Sequence, residues 1–500
     1  MKVILLLCLA IVAVSAVRNS FAFSPNRVSR AFALENAEPS DNARWFEQEL
    51  DHFSPQDQGT WKQRYFVNET YYKAGGPFFI NVGGEGAISE KEVTGHLMMS
   101  SYAQTYGAMV VSVEHRFYGE SQPFPDLSTD NLRLLSSQQA LADLANFIVH
   151  LKEQYGAPDA PVITFGGSYP GALAAWFRMK YPHVTMGSIA SSAPVFAALD
   201  FYGYMDVVDK SLASVSGEIC DRRIQIATAY VDKLVQTEEG RDTLAAAFNI
   251  CRPLVSDKDI STMYANLMGN FQGVVQYDEE GSPITIQTVC DIMESGSDRD
   301  AFENYQKVNA LVNGKNCIEC NYDATIDLLK QTDHKAAGVG MRQWTYQTCL
   351  EFGYFQTTDS ENQPFGDNVP LSYYTDMCHD TFGFTFKPRV NETNLYYGGR
   401  NPRGASNIDF VNGSIDPWHA LSITEDFSQT VIATFVQGTA HCDDMLPPKN
   451  GTTPRGAESD CGCVRLDDSD KYVVESALAY FENNSGHESL QRMSIMLGSA

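Results

Sequence analysis

Four short apolar runs, separated by helical stretches, constrain the fold of this chain more than any other feature. They are Pro77–Val82, Ala108–Val113, Pro161–Phe165 and Met186–Ala190. Each is rich in β-branched or aromatic residues and lacks strict polar alternation, which suits parallel strands buried on both faces. Between them, Ser136–Tyr155 places Leu141, Leu144, Ala145, Ile148 and Leu151 on one helical face. Ala172–Tyr181 reads as a second helix, ended by Pro182. Alternating strand and helix predicts a doubly wound, mostly parallel sheet with right-handed crossovers.

The pattern changes after about residue 200. Helical stretches and loops dominate 201–380, and six cysteines fall between Cys220 and Cys349. Strand signals return at Asn407–Val411 and Val431–Val436, and Asp467–Asn483 reads as a closing helix. The expected organisation is α/β: residues 45–200 and 381–490 form one sheet domain. Residues 201–380 form an inserted, mainly helical, disulfide-bonded cap.

A serine sits where the third strand run meets a helix, in Phe165-Gly166-Gly167-Ser168-Tyr169-Pro170-Gly171. A sharp strand-to-helix turn there would lift the Ser168 hydroxyl above the sheet edge as a nucleophile. The position two residues after the serine is usually glycine and here is Pro170. That is tolerable in a first helical turn, where a missing N–H costs little.

A serine hydroxyl needs a base, and the base needs an orienting carboxylate. In this fold class the chain order is serine, acid, histidine, each after a strand. Asp416 follows the Asn407–Val411 run, and His441 follows Val431–Val436. Ser168 and Asp416 are far apart in sequence. Two or three βα units of ~30 residues each leave ample chain between them for a cap. The oxyanion hole needs two N–H donors. Tyr169 is one candidate, and Gly84 or Glu85, in the Gly83-Gly84-Glu85-Gly86 turn after the first strand, is the other. Glu114 and Arg116 read as a structural ion pair beneath the site. The pair Cys317-x-x-Cys320 has no second pair at metal spacing, so neither metal nor cofactor is expected.

Five segments together resemble a known family. They are Gly166–Gly171, Glu114–Ser121 (EHRFYGES), Gln343–Cys349 (QWTYQTC), Asn412–Trp418 (NGSIDPW) and Gly438–His441 (GTAH). In this order they resemble the lysosomal prolyl-carboxypeptidase and dipeptidyl peptidase II family of serine peptidases, nearest to its thymus-specific serine protease branch. The resemblance runs from about Phe46 to the C-terminal helix. It implies the α/β-hydrolase fold, cleavage of peptides after proline, and Ser168, Asp416 and His441 as the triad. It also implies Trp418 as a wall of the proline pocket, where an aromatic face stacks on the ring. Glu85 would face the substrate amine if dipeptides are removed. Homodimers are common in that family. The expected disulfides are Cys349 with Cys378, and Cys442 with Cys461 or Cys463.

The N-terminus supports a secretory route. Lys2, the apolar run Val3–Val14 and the small residues Ser15 and Ala16 read as a signal peptide over residues 1–16, with cleavage as late as 22. The ten cysteines left after Cys8 departs are an even number, as in disulfide-bonded extracellular or lysosomal proteins. Sequons at Asn68, Asn391, Asn450 and Asn483 are expected glycosylation sites, while a fifth, Asn412, lies beside the proposed site. A formal net charge of −26 disfavours nucleic acid and anionic membrane as partners. Peptides are the expected substrates. Two other functions fit the same fold: a carboxylesterase or lipase, and a catalytically silent binding protein.

Overall fold

The computed structural model describes residues 40, 42–56, 59–279, 282–335 and 340–447. The signal peptide, the closing helix, Asn450, Asn483, Cys461 and Cys463 lie outside the described residues.

Eight strands form one sheet, in the order β1 (Arg44–Glu49), β2 (Thr60–Asn68), β4 (Met109–Val113), β3 (Phe78–Val82), β5 (Val162–Gly167), β6 (Gly187–Ser191), β9 (Ile408–Gly413) and β10 (Val431–Val436). Six of these run parallel: β4, β3, β5, β6, β9 and β10. This is the α/β-hydrolase fold. The expected strands stand within a residue or two of their runs. β3, β4, β6 and β9 are buried along their whole length, as unalternating runs require.

Successive residues still separate by face. Phe78, Ile80 and Val82 pack with Leu141, Phe147 and Ile148 of the helix Ser137–Gln154. Phe79 turns the other way, to Val110, Ile163 and Tyr102. Ser136 caps the helix Ser137–Gln154 by accepting the Gln139 N–H, which fixes its start.

The chain reading did not foresee the antiparallel hairpin β1 (Arg44–Glu49) and β2 (Thr60–Asn68), which pairs with β4. β1 carries three charges, Arg44, Glu47 and Glu49, and buries only Phe46 and Gln48. Such an edge strand has little apolar signal. Its buried glutamine is satisfied by a distant partner, Gln63, at 2.9 Å.

Between β6 and β9 lie the helices Gly203–Ser216, Glu218–Leu234, Glu238–Ala247, Asp257–Gln276, Ile286–Glu294, Ala301–Asn313 and Tyr322–Leu329. Further helices follow, together with a two-stranded ribbon of β7 (Ala198–Asp200) and β8 (Gly353–Phe355). Disulfides Cys220–Cys290, Cys251–Cys317 and Cys349–Cys378 staple this segment, the last as expected. Among the described residues Cys320 is a buried thiol without a disulfide partner, while its near neighbour Cys317 pairs with Cys251. Among the described residues no helix is long and apolar enough to cross a membrane.

Candidate active site

The carboxyl ends of β3, β5, β9 and β10 meet at one sheet edge, the usual place for ligands in open α/β sheets. At the end of β5, Ser168 adopts φ 66 and ψ −132, a conformation that costs a non-glycine residue energy. The helix Tyr169–Lys180 starts at the next residue, three positions earlier than its apolar pattern shows. Pro170 lies in its first turn. Gly166 is required here: a Cβ on it would stand 2.2 Å from the Pro170 carbonyl oxygen.

Asp416 and His441 are brought together by a zipper between the loops after β9 and β10. Ser414 N–H donates to Val436 O at 2.9 Å, and Ile415 N–H to Thr439 O at 3.0 Å. The Ser414 hydroxyl accepts Gly438 N–H at 2.8 Å. His441 Nδ1 then stands 2.8 Å from Asp416 Oδ1, with both side chains fully buried. An ionised carboxylate only accepts, so the proton sits on Nδ1 and Nε2 carries the lone pair. Nε2 has no hydrogen-bond partner among the described residues. Asp416 Oδ1 also accepts the Trp418 N–H at 2.9 Å, which fixes the carboxylate on its turn.

His441 and Ser168 line one cavity of about 80 Å³, together with Gly84, Glu85, Glu92 and Pro170. Gly84 lies directly on the Pro170 ring; a Cβ there would come within 2.2 Å of Pro170 Cγ. The uncommon proline and the glycine therefore fit each other. Tyr169 is the first residue of its helix, so its N–H has no intrahelical partner. The Glu85 carboxyl is pushed up by burial, an effect opposed by its own N–H and by His441. Its Oε2 has no hydrogen-bond partner among the described residues.

Trp418 is buried, with its ring 6.2 Å from that of His441. Asn68 is half-buried and donates to Val93 O at 2.7 Å, and Asn391 is exposed. Asn412 is buried and donates to Phe410 O and Ile423 O, which leaves its nitrogen closed to a glycan.

Two of the recognised segments meet behind Tyr169. The Tyr118 hydroxyl donates to Gln347 Oε1 at 2.6 Å, and Gln347 Nε2 donates to the Tyr169 hydroxyl at 2.9 Å. His115 Nδ1 faces the Arg116 carbonyl at 2.7 Å and must carry the proton there. Its Nε2 therefore accepts from the Tyr169 hydroxyl, 3.1 Å away. Burial pushes His115 down to about 4, so it stays neutral and the chain of donors stays closed. The expected pairing of Glu114 with Arg116 is not found. Glu114 pairs with Arg64 at 2.6 Å, and Arg116 with Asp143 at 2.6 Å. Residues 114–116 lie past the end of β4, in the turn that follows it, so the strand's alternation no longer pairs them and each finds its partner on another element. No local sequence signal marks Asp143 or Gln347 for these contacts. Gln347 stands inside a recognised segment, but nothing local gives its role.

Sheet topology, the strained serine between strand and helix, and the buried histidine–carboxylate pair define a serine hydrolase of the α/β-hydrolase class. The chain matches the Serine carboxypeptidase S28 family over residues 48–457. The thymus-specific serine protease of Homo sapiens is 36% identical over 428 residues, covering 82% of this chain and 83% of that one. The lysosomal Pro-X carboxypeptidase of Homo sapiens is 34% identical over 428 residues, covering 82% and 84%. The chain belongs to the serine carboxypeptidase S28 family and is a serine peptidase.

Proposed function

We propose that this protein is an exopeptidase that cleaves peptides after proline through an acyl-enzyme on Ser168. One observation carries the reading: an imidazole held by Asp416 keeps Nε2 open in the cavity that Ser168 lines. In this reading His441 Nε2 takes the Ser168 proton as Oγ attacks the scissile carbonyl. The developing oxyanion is met by the N–H groups of Tyr169 and of Gly84 or Glu85. The proton then passes to the leaving amine, and water, activated by the same imidazole, releases the acid and restores the serine. Trp418 would form a wall of the proline pocket. The likeness to the human lysosomal Pro-X carboxypeptidase supports a preference for proline.

A second reading concerns the end of the substrate. The unpartnered Glu85 oxygen in the cavity favours a positively charged group, as removal of N-terminal dipeptides would present. The disulfides and the lysosomal relative support the secretory or lysosomal route.

The test combines a fluorophosphonate with a peptide library. Labelling is expected on wild type and lost in Ser168→Ala. Products are expected to end in proline, or to be dipeptides with proline second. Turnover of short esters without peptide cleavage would select an esterase. An unlabelled Ser168 would select a silent binding protein.

A further inference from the structure

The insertion helix Asp257–Gln276 ends directly against the loop that carries His441, and its last residue is buried. The Gln276 carbonyl, one of the four that a helix end leaves without an internal partner, accepts the His441 N–H at 3.0 Å. Its side-chain Oε1 accepts from Trp418 Nε1 at 2.9 Å and from the Tyr204 hydroxyl at 2.6 Å. Its Nε2 donates to the Tyr277 hydroxyl at 2.6 Å. The Tyr277 ring stands 6.2 Å from the His441 ring, nearly perpendicular to it. Tyr204 also packs edge-on against Trp418, with centroids 5.9 Å apart.

One side chain thus satisfies two buried donors and directs a third hydroxyl, and its backbone anchors the loop of the base. Trp418 is also bonded through its N–H to the carboxylate that holds His441. That bond uses the backbone N–H, so the indole can turn without displacing the Asp416 carboxylate.

We infer that Gln276 is a positioning residue. It fixes the indole of Trp418 in the substrate site, so that the helical insertion sets the geometry in which a peptide meets Ser168. This rests on the serine-exopeptidase reading above. A buried donor left without its acceptor is expensive and moves to find another. Removing the amide should therefore displace the indole while leaving the His441 backbone bond in place.

The test compares full-length Gln276→Met and Gln276→Glu with wild type on a proline-containing reporter peptide and on a fluorophosphonate. Gln276→Met is expected to lower kcat/KM for the peptide about 30-fold, mainly through KM, while Ser168 labelling slows less than about threefold. Gln276→Glu keeps the acceptor for Trp418 and Tyr204, and should return kcat/KM to within about fivefold of wild type. Tyr204→Phe removes one of the two donors and should raise KM about threefold.

The inference is overturned if Gln276→Met melts normally and cleaves the peptide like wild type. It is equally overturned if the Glu and Met variants are impaired alike, or if labelling and turnover fall together. Should Gln276→Met not fold, the other two variants decide, and an unchanged KM in Tyr204→Phe overturns the idea. A wild-type protein that neither labels nor cleaves peptides would sink the serine-exopeptidase reading itself. That result is distinguishable because it appears before any variant is made.

Discussion

Glu92 lines the cavity shared by Ser168 and His441 and is buried, and replacing it with glutamine should flatten part of the pH dependence of stability. Its Oε2 accepts from the Ser112 hydroxyl at 2.6 Å and from Asn81 Nδ2 at 2.9 Å, while Oε1 accepts the Ser89 N–H at 3.2 Å. Those bonds do not offset the loss of water, and burial pushes the carboxyl from its ordinary 4.5 up to about 7. The folded value lies above the unfolded one, so the folded state holds the proton more tightly. The resulting stabilisation is complete below the unfolded value and lost as pH rises through about 7. At 1.36 kcal/mol per unit, the full effect is about 3 kcal/mol, of which ~2 kcal/mol appears between about pH 7.5 and about pH 5.

A glutamine has the shape of the neutral acid but does not titrate. It loses one accepting position at both pH values, so the comparison to make is the difference between them. Urea unfolding of wild type and Glu92→Gln at about pH 5 and about pH 7.5 gives four stabilities. The gain on acidification should be ~2 kcal/mol smaller in the variant. Other titrating groups cancel in this double difference. An equal gain in both proteins would refute the reasoning and mean that Glu92 is ionised across the range.

Four further outcomes are expected. Asp416→Asn should lower kcat by ~10⁴-fold in peptide assays with little change in melting temperature, because the amide can donate to Nδ1 and favours the wrong imidazole tautomer. Gly84→Ala sets a methyl against the Pro170 ring and should lower kcat ~10²-fold by moving an oxyanion donor; Gly84→Ala with Pro170→Ala should recover part of that loss. Asp143→Asn leaves the buried Arg116 guanidinium without its carboxylate and should cost ~3–5 kcal/mol in chemical denaturation. Replacing Cys349 and Cys378 by serine should cost ~2–4 kcal/mol, read in the same way.

Much of this molecule was legible along the chain because the signals are local. A buried parallel strand is a short apolar run, and a helix face repeats every three or four residues, so six strands and the helix behind β3 are legible in the sequence. The turn at Ser168 needs glycine at 166 and tolerates proline at 170, and both are local demands. The order of Ser168, Asp416 and His441 follows from the order of the strands.

The remainder depends on which distant surfaces touch. Strand β1 exposes Trp45, Glu47 and Glu49, buries only Phe46 and Gln48, and gains its identity from pairing with β2. Glu114 and Arg116 are near neighbours in sequence, yet their partners, Arg64 and Asp143, lie on other elements. The cysteine count does not give the partners: packing joins Cys251 to Cys317 and, among the described residues, leaves Cys320 as a buried thiol. Gln276 carries no signal at all: it is one more residue at a helix end until packing sets it between Trp418, Tyr204 and the loop of His441. The sequence by itself determined the six parallel strands, the turn at Ser168 and the chain order of Ser168, Asp416 and His441, because period and turn chemistry act within a few residues. Only the tertiary structure decided which buried donors meet which acceptors, because a hydrogen bond depends on positions a few ångströms apart that the chain reaches by long and independent routes.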